Sequence, residues 1–311
     1  MPIIEHLSGL EILDSRGRPT VQAACRLASG VNGTASVPSG ASTGTAEVLE
    51  LRDGDPARYH GLGCRKAVSH VGGELNHELA GRSFVSQFEL DRALIDLDGT
   101  ANKSRLGANA ILAVSLAFAR ASAIEQGRPL FHYFSDILDL TPALPLLTVN
   151  LFSGGKHAGG QVAIQDVLIT PRSPQTVDEA LAMAWAVYQS AADLAREKYS
   201  TRALSADEGG LAPPFPDAET MLADAVRAIE LAGFRPYEDV ALAVDVASSH
   251  FYADGVYHLG NHPISSQEMV ATLGSWLDHY PIISVEDGLA EDDWDNWPAL
   301  CSILNGRSLT L

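Results

Sequence analysis

The chain has 311 residues and a mass of 33.0 kDa, the size of one large domain or two smaller ones. Apolar residues make up 46% and charged ones 19%, which excludes a disordered chain. With 39 acidic against 21 basic residues, the net charge is −18 and the pI near 4.8, which argues against nucleic acid and anionic membranes as partners.

In chain order, Ile3 to Leu13 and Thr20 to Leu27 read as strands separated by the turn-forming Asp14-Ser-Arg-Gly17. Val37-Pro-Ser-Gly-Ala-Ser-Thr-Gly44 is too small and polar to pack a core and reads as a flexible loop or lid. Helical patterns follow over Gly63 to Leu79, Gln87 to Leu97 and Gly107 to Gln126. The stretch Asn109 to Ile124 is the most apolar; it contains Arg120, is shorter than a membrane span, and reads as a buried helix. Leu138 to Pro145, with two prolines, marks a boundary, giving domains 1–138 and 139–311.

Beyond it, strands at Leu146 to Phe152, Val162 to Thr170, Val240 to Val246 and Pro281 to Val285 alternate with helices. The helices span about Thr176 to Tyr199, Asp217 to Ala232, Ser265 to Tyr280 and Trp294 to Leu304. That alternation predicts a parallel α/β barrel or open sheet after an α+β first third. Cys25, Cys64 and Cys301 form no close pair, which predicts free thiols in a reducing compartment. Met1 to Gly17 lacks a basic-then-apolar signal pattern, and the expectation is a cytoplasmic protein.

Two acids end apolar runs: Asp245 after Val240-Ala-Leu-Ala-Val244, and Glu286 after Ile282-Ile-Ser-Val285. Carboxylates at the C-terminal ends of consecutive barrel strands sit on the face that carries active sites. With a third oxygen ligand they suit a hard cation such as Mg²⁺; the plainer alternative is a helix cap or a solvated loop acid. Asp207-Glu208 lies in another loop, and Ser153-Gly-Gly-Lys-His157-Ala-Gly-Gly160 is a glycine turn carrying a lysine and a histidine.

Long ordered motifs make the chain resemble enolase. They are Leu13-Asp-Ser-Arg-Gly-Arg-Pro-Thr-Val21, Val37 to Gly44, Glu50-Leu-Arg-Asp-Gly-Asp55 and Asp98-Gly-Thr-Ala-Asn-Lys-Ser-Arg-Leu-Gly-Ala-Asn-Ala-Ile-Leu112. Further on come Asp207-Glu-Gly-Gly-Leu-Ala-Pro213, Asp245-Val-Ala-Ser-Ser249 and Val285-Glu-Asp-Gly-Leu-Ala-Glu-Asp-Asp-Trp294. The resemblance covers essentially the whole chain. It implies an N-terminal α+β capping domain followed by a (β/α) TIM barrel whose first strands run partly antiparallel. It also implies two Mg²⁺ per active site, a homodimer or a multiple of it, and dehydration of a phosphorylated three-carbon acid, 2-phospho-D-glycerate, to phosphoenolpyruvate in glycolysis.

Carried over by position, the resemblance makes Asp245 and Glu286 two of three protein ligands of the tighter metal. Glu208 becomes the acid that assists departure of the hydroxyl, and Asp166 stands at a catalytic position. Ser39 matches a loop serine that helps bind the second magnesium. Ser39, Ala41, His157 and Glu286 form the implied substrate-binding set.

The sequence departs from the family in two ways. From Asp139 to Leu311 there are 173 residues, where a barrel takes roughly 250. No residue here matches the third metal ligand, the lysine general base, the phosphate-holding serine or the second active-site lysine. The expectation is therefore an incomplete barrel, inactive as this chain alone, either a fragment or a truncated copy. Locally, Asp166 stands where the family has glutamate, Ser153 where asparagine is usual, Gly160 where a polar residue is, and His250 where an acid is. These departures keep open an enolase-like enzyme of phosphonate biosynthesis, of the carboxyphosphonoenolpyruvate synthase type, and a non-catalytic remnant.

Overall fold

Local chemistry sets the first turn. The Asp14 carboxylate accepts from the backbone N–H groups of Arg16 and Arg18 at 2.9 and 2.8 Å, and Gly17 takes a φ of +71°, which a side chain would resist. The turn joins β1 (Ile4–Leu13) to β2 (Pro19–Leu27) in antiparallel register, Leu7 opposite Cys25. On the other side of β2 lies β3 (Asn32–Ser36), with Ala35 opposite Ala23. The computed structural model describes residues 1–40, 43–202, 204–304 and 309–310, the last pair by backbone only.

Helices cover one face of this sheet. A helical run comprises α1 (Arg65–His70), a π turn (Val71–Leu75) and α2 (Asn76–Leu79). Next comes α3 (Gln87–Asp98), whose N-cap Ser86 accepts from the Glu89 backbone at 3.2 Å. It is followed by α4 (Ala108–Glu125) and α5 (Leu130–Leu138). By length and composition α4 could cross a membrane. Instead it packs on β2 and β3, and Ala110, Val114 and Phe118 join Leu7, Val21, Cys25 and Leu94 in one core.

The contacts divide the chain into two units, Met1–Leu144 and Pro145–Leu311. The second contains β4 (Val149–Ser153), β5 (Asp166–Pro171), α6 (Val177–Tyr199), α7 (Ala218–Leu231) and β6 (Val240–Asp245). A short hairpin, β7 (Tyr252–Ala253) and β8 (Val256–Tyr257), precedes α8 (Ser266–His279), β9 (Ile282–Glu286), α9 (Trp297–Leu304) and β10 (Leu309–Thr310). Reciprocal side-chain caps start two of these helices: Thr176 with Glu179 for α6 and Ser265 with Glu268 for α8. Val167, Ile169, Leu242, Val244 and Val285 from the strands share a core with Val187, Met221 and Leu273 from α6, α7 and α8.

The sheet order is β10-β9-β6-β5-β4, open among the described residues. The strand–helix alternation predicts parallel strands throughout, and that is corrected here: β5 pairs antiparallel with both β4 and β6, while β6–β9 and β9–β10 are parallel. The partly antiparallel start that the family resemblance implies is what the sheet shows. The strand read over Val162 to Thr170 begins only at Asp166, because its first residues turn back: Val162 and Gln165 accept from Gly155 and Gly154 at 3.0 and 2.6 Å. The last helix starts at Trp297, not Trp294. β3 and α5 carry no reading in the sequence at all.

Candidate active site

Strand register gathers the acids of the second unit. Ser153 on β4 lies opposite Asp166 on β5, Asp166 opposite Asp245 on β6, and Asp245 opposite Glu286 on β9. One rung across four strands thus reads Ser153, Asp166, Asp245, Glu286, and residues paired on one rung share a face.

Asp166 is almost fully buried. Its Oδ1 accepts from Ser153 Oγ at 2.6 Å and from Asn150 Nδ2 at 2.7 Å. Gly210 leaves room for both donors, since a Cβ there would strike Ser153 Oγ and Asn150 Oδ1. Asp245 Oδ2 accepts from Gln165 Nε2 at 2.9 Å, and its Oδ1 from the Ala247 backbone at 3.1 Å. The His157 side chain is 4% exposed. Its Nδ1 lies 3.2 Å from Asp166 Oδ2, and its Nε2 lies 3.7 Å from Oε1 of Glu208, a half-exposed loop residue. His157, Asp166 and Glu208 present ligand atoms all within 4.8 Å of one another, a mixed nitrogen and oxygen set.

The electrostatics follow from burying like charges together. Burial, then the Glu286 carboxylate, push Asp245 up to about 7 against the opposing Gln165 bond. Burial first, then Asp287, Asp166 and Glu208, raise Glu286. Burial also raises Asp166, although Ser153, Asn150 and the His157 charge pull the other way. A cluster that resists its own ionisation calls for protons or a cation. Asp245 and Glu286, carboxylates on neighbouring strands, are of the donor type a hard divalent ion takes, although the group of three close ligand atoms found among the described residues is His157, Asp166 and Glu208.

Asp166, His157, Glu208, Asp245 and Glu286 thus all belong to this unit. Ser39 belongs to the other, where its Oγ donates to Glu50 Oε2 at 2.7 Å and accepts from Arg52 Nη2, and its carbonyl accepts from Arg16. Ala41 lies outside the described residues. Sequence reasoning missed Asn150, Gln165 and Gly210.

The family model for the enolase N-terminal domain matches residues 4–134. That for the enolase C-terminal TIM barrel domain matches residues 141–308. With nearly the whole chain matched, this protein belongs to the enolase family, whose members are lyases.

Proposed function

We propose that the protein, with its barrel complete, carries out the Mg²⁺-dependent dehydration of 2-phospho-D-glycerate to phosphoenolpyruvate, a glycolytic step, as a cytoplasmic homodimer or a multiple of it; these 311 residues alone offer no match for the lysine general base. The observation that carries this reading is the rung Asp166–Asp245–Glu286, three carboxylates in register on three neighbouring strands. The three free cysteines fit a reducing compartment.

Asp245 and Glu286 would hold the ion. The bound ion supplies positive charge for the substrate carboxylate and for the negative charge that develops as C2 loses its proton. The chain's own residues manage departure of the C3 hydroxyl. Asp166, gripped by Ser153 and Asn150, faces His157 Nδ1 at 3.2 Å and orients the ring. His157 Nε2 faces Glu208 Oε1 at 3.7 Å. Glu208, half exposed, can swing to the substrate and give the leaving hydroxyl its proton as general acid. Abstraction of the C2 proton falls to a base outside this set.

Two of the departures from the family touch one another: Ser153 bonds Asp166 at 2.6 Å. This coordinated change supports a second reading, an enzyme of the carboxyphosphonoenolpyruvate synthase type. Phosphoenolpyruvate absorbance at saturating Mg²⁺ separates the two. In the protein with its barrel complete, wild type should turn over 2-phosphoglycerate, and Glu208→Gln should bind Mg²⁺ yet lose at least about 10²-fold in rate. Undetectable product from that folded, Mg²⁺-binding wild type overturns the 2-phosphoglycerate reading. Wild-type turnover in the variant overturns the role of Glu208.

A further inference from the structure

Beside His157 the second unit holds a cavity of about 660 Å³, within the range of small-molecule sites. Three segments wall it: the glycine turn from Gly155 to Ala163, the start of α7 at Pro216 to Ala218, and the stretch from His250 to Asn261. Its side-chain charge is unlike that of the rest of this acidic chain. Lys156, one of only four lysines, and His250 and His258 all line it. The single acid in the wall, Asp217, is occupied as the N-cap of α7, its carboxylate accepting from the Thr220 backbone at 2.7 Å.

Lys156 is exposed and enters none of the ion pairs found among the described residues. His250 Nδ1 is buried without a hydrogen-bond partner. Burial, then the charges of Lys156 and His157, hold His250 below the ordinary histidine range, with Asp287 opposing. Burial and the neighbouring positive charge disfavour a charge on His250, and an arriving anion would favour one. Phe251, Leu259 and Val162 add an apolar wall.

We propose that Lys156, His250 and His258 form a subsite for a phosphate or phosphonate group on a small organic molecule, additional to the carboxylate rung. The anionic group meets the Lys156 ammonium and the imidazole rings of His250 and His258, and the organic remainder lies against Phe251 and Leu259. Lys156 adjoins His157 in the chain, so the cavity neighbours the reacting centre, and its ligand is either a second substrate or an anionic extension of the first. The subsite does not rest on the dehydration reading, because binding alone tests it.

Calorimetric titration in metal-free buffer with EDTA uses inorganic phosphate and phenylphosphonate as probes; without metal, the rung of carboxylates repels both. Saturable binding of phenylphosphonate, tighter than phosphate, is the expected result. Lys156→Glu should weaken it at least about tenfold, as loss of one charge-assisted bond implies, and His258→Gln should weaken it less. Both side chains are exposed, and circular dichroism checks that the variants fold. Displacement of phenylphosphonate by 2-phosphoglycerate under the same conditions assigns the subsite to a group of that substrate; simultaneous binding assigns it to a second ligand. Absence of saturable binding for both probes overturns the proposal, as does unchanged affinity in both variants.

Discussion

Asp166 shows how one methylene can be compensated. The shorter acid is met by two donors on the neighbouring strand, Ser153 at 2.6 Å and Asn150 at 2.7 Å, and it still reaches within 3.2 Å of His157 Nδ1. A longer acid has no free space there, because the residue is buried and both donors are held close by Gly210. Asp166→Glu should therefore displace His157 by about the length of a bond and lower kcat on the order of 10²-fold. Steady-state kinetics of the protein with its barrel complete check this; unchanged kcat would show that the grip of Ser153 and Asn150 does not set the histidine. In the first unit, Glu11 accepts from both Arg58 guanidinium nitrogens and from the Cys64 backbone at 2.6 Å. The Arg58 bond holds its carboxyl below the usual carboxylate range, the Cys64 bond adding to it and burial opposing. An acid depressed in the folded state stabilises above its unfolded pKa, and that contribution is lost as pH falls through the folded value. Stability of the first unit should accordingly decline below about pH 4. Glu11→Gln should be less stable at pH 7 and flatter with acid, as hydrogen exchange of β1 and β2 would show. A variant as pH-dependent as wild type would exclude Glu11 as the group responsible.

At the scale of elements, β3 depends on a missing side chain. Gly33 lies on α4, and a Cβ at that position would overlap the Ala121 nitrogen and the Ala117 carbonyl, both backbone atoms that cannot rotate away. Gly33→Ala should push strand and helix apart and cost about 2 kcal/mol or more, as overpacking does. Urea unfolding followed by hydrogen exchange in α4 measures it, and a change within a few tenths of a kcal/mol would refute the close approach. The same residue explains why β3 was not legible: Asn32-Gly-Thr-Ala-Ser36 has little strand propensity, and its state is set by pairing with β2 and packing under α4. Helix starts at Thr176 and Ser265 were legible because local caps and apolar period agree there. Asp245 and Glu286 stood out as acids ending apolar runs. Asn150 and Gln165 did not, because an amide in or beside a strand has no motif, and only the register reveals what it faces. The direction of β5 was likewise hidden, since strand–helix alternation carries no sign for a strand that runs backwards.

For the whole molecule, two separate cores and one acidic charge balance make a divalent cation act in two distinguishable ways. Screening of the net charge of −18 acts on both units. Binding at Asp245 and Glu286 acts on the second alone, and stabilises it by about 2.7 kcal/mol at a hundredfold excess over Kd. The four tryptophans, Trp185, Trp276, Trp294 and Trp297, all lie in the second unit, so their fluorescence reports that unit's unfolding. Peptides of β1 and β2 report the first by hydrogen exchange. Against NaCl of equal ionic strength, Mg²⁺ should raise the tryptophan-detected transition and leave exchange in β1 and β2 unchanged. Asp245→Asn should remove the difference between the salts, while also raising metal-free stability, because it takes one charge out of a rung in which burial and Glu286 already resist ionisation. Equal stabilisation of both units by Mg²⁺ and NaCl, or a Mg²⁺ effect that survives Asp245→Asn, would mean that the register of acids across β5, β6 and β9 holds no cation.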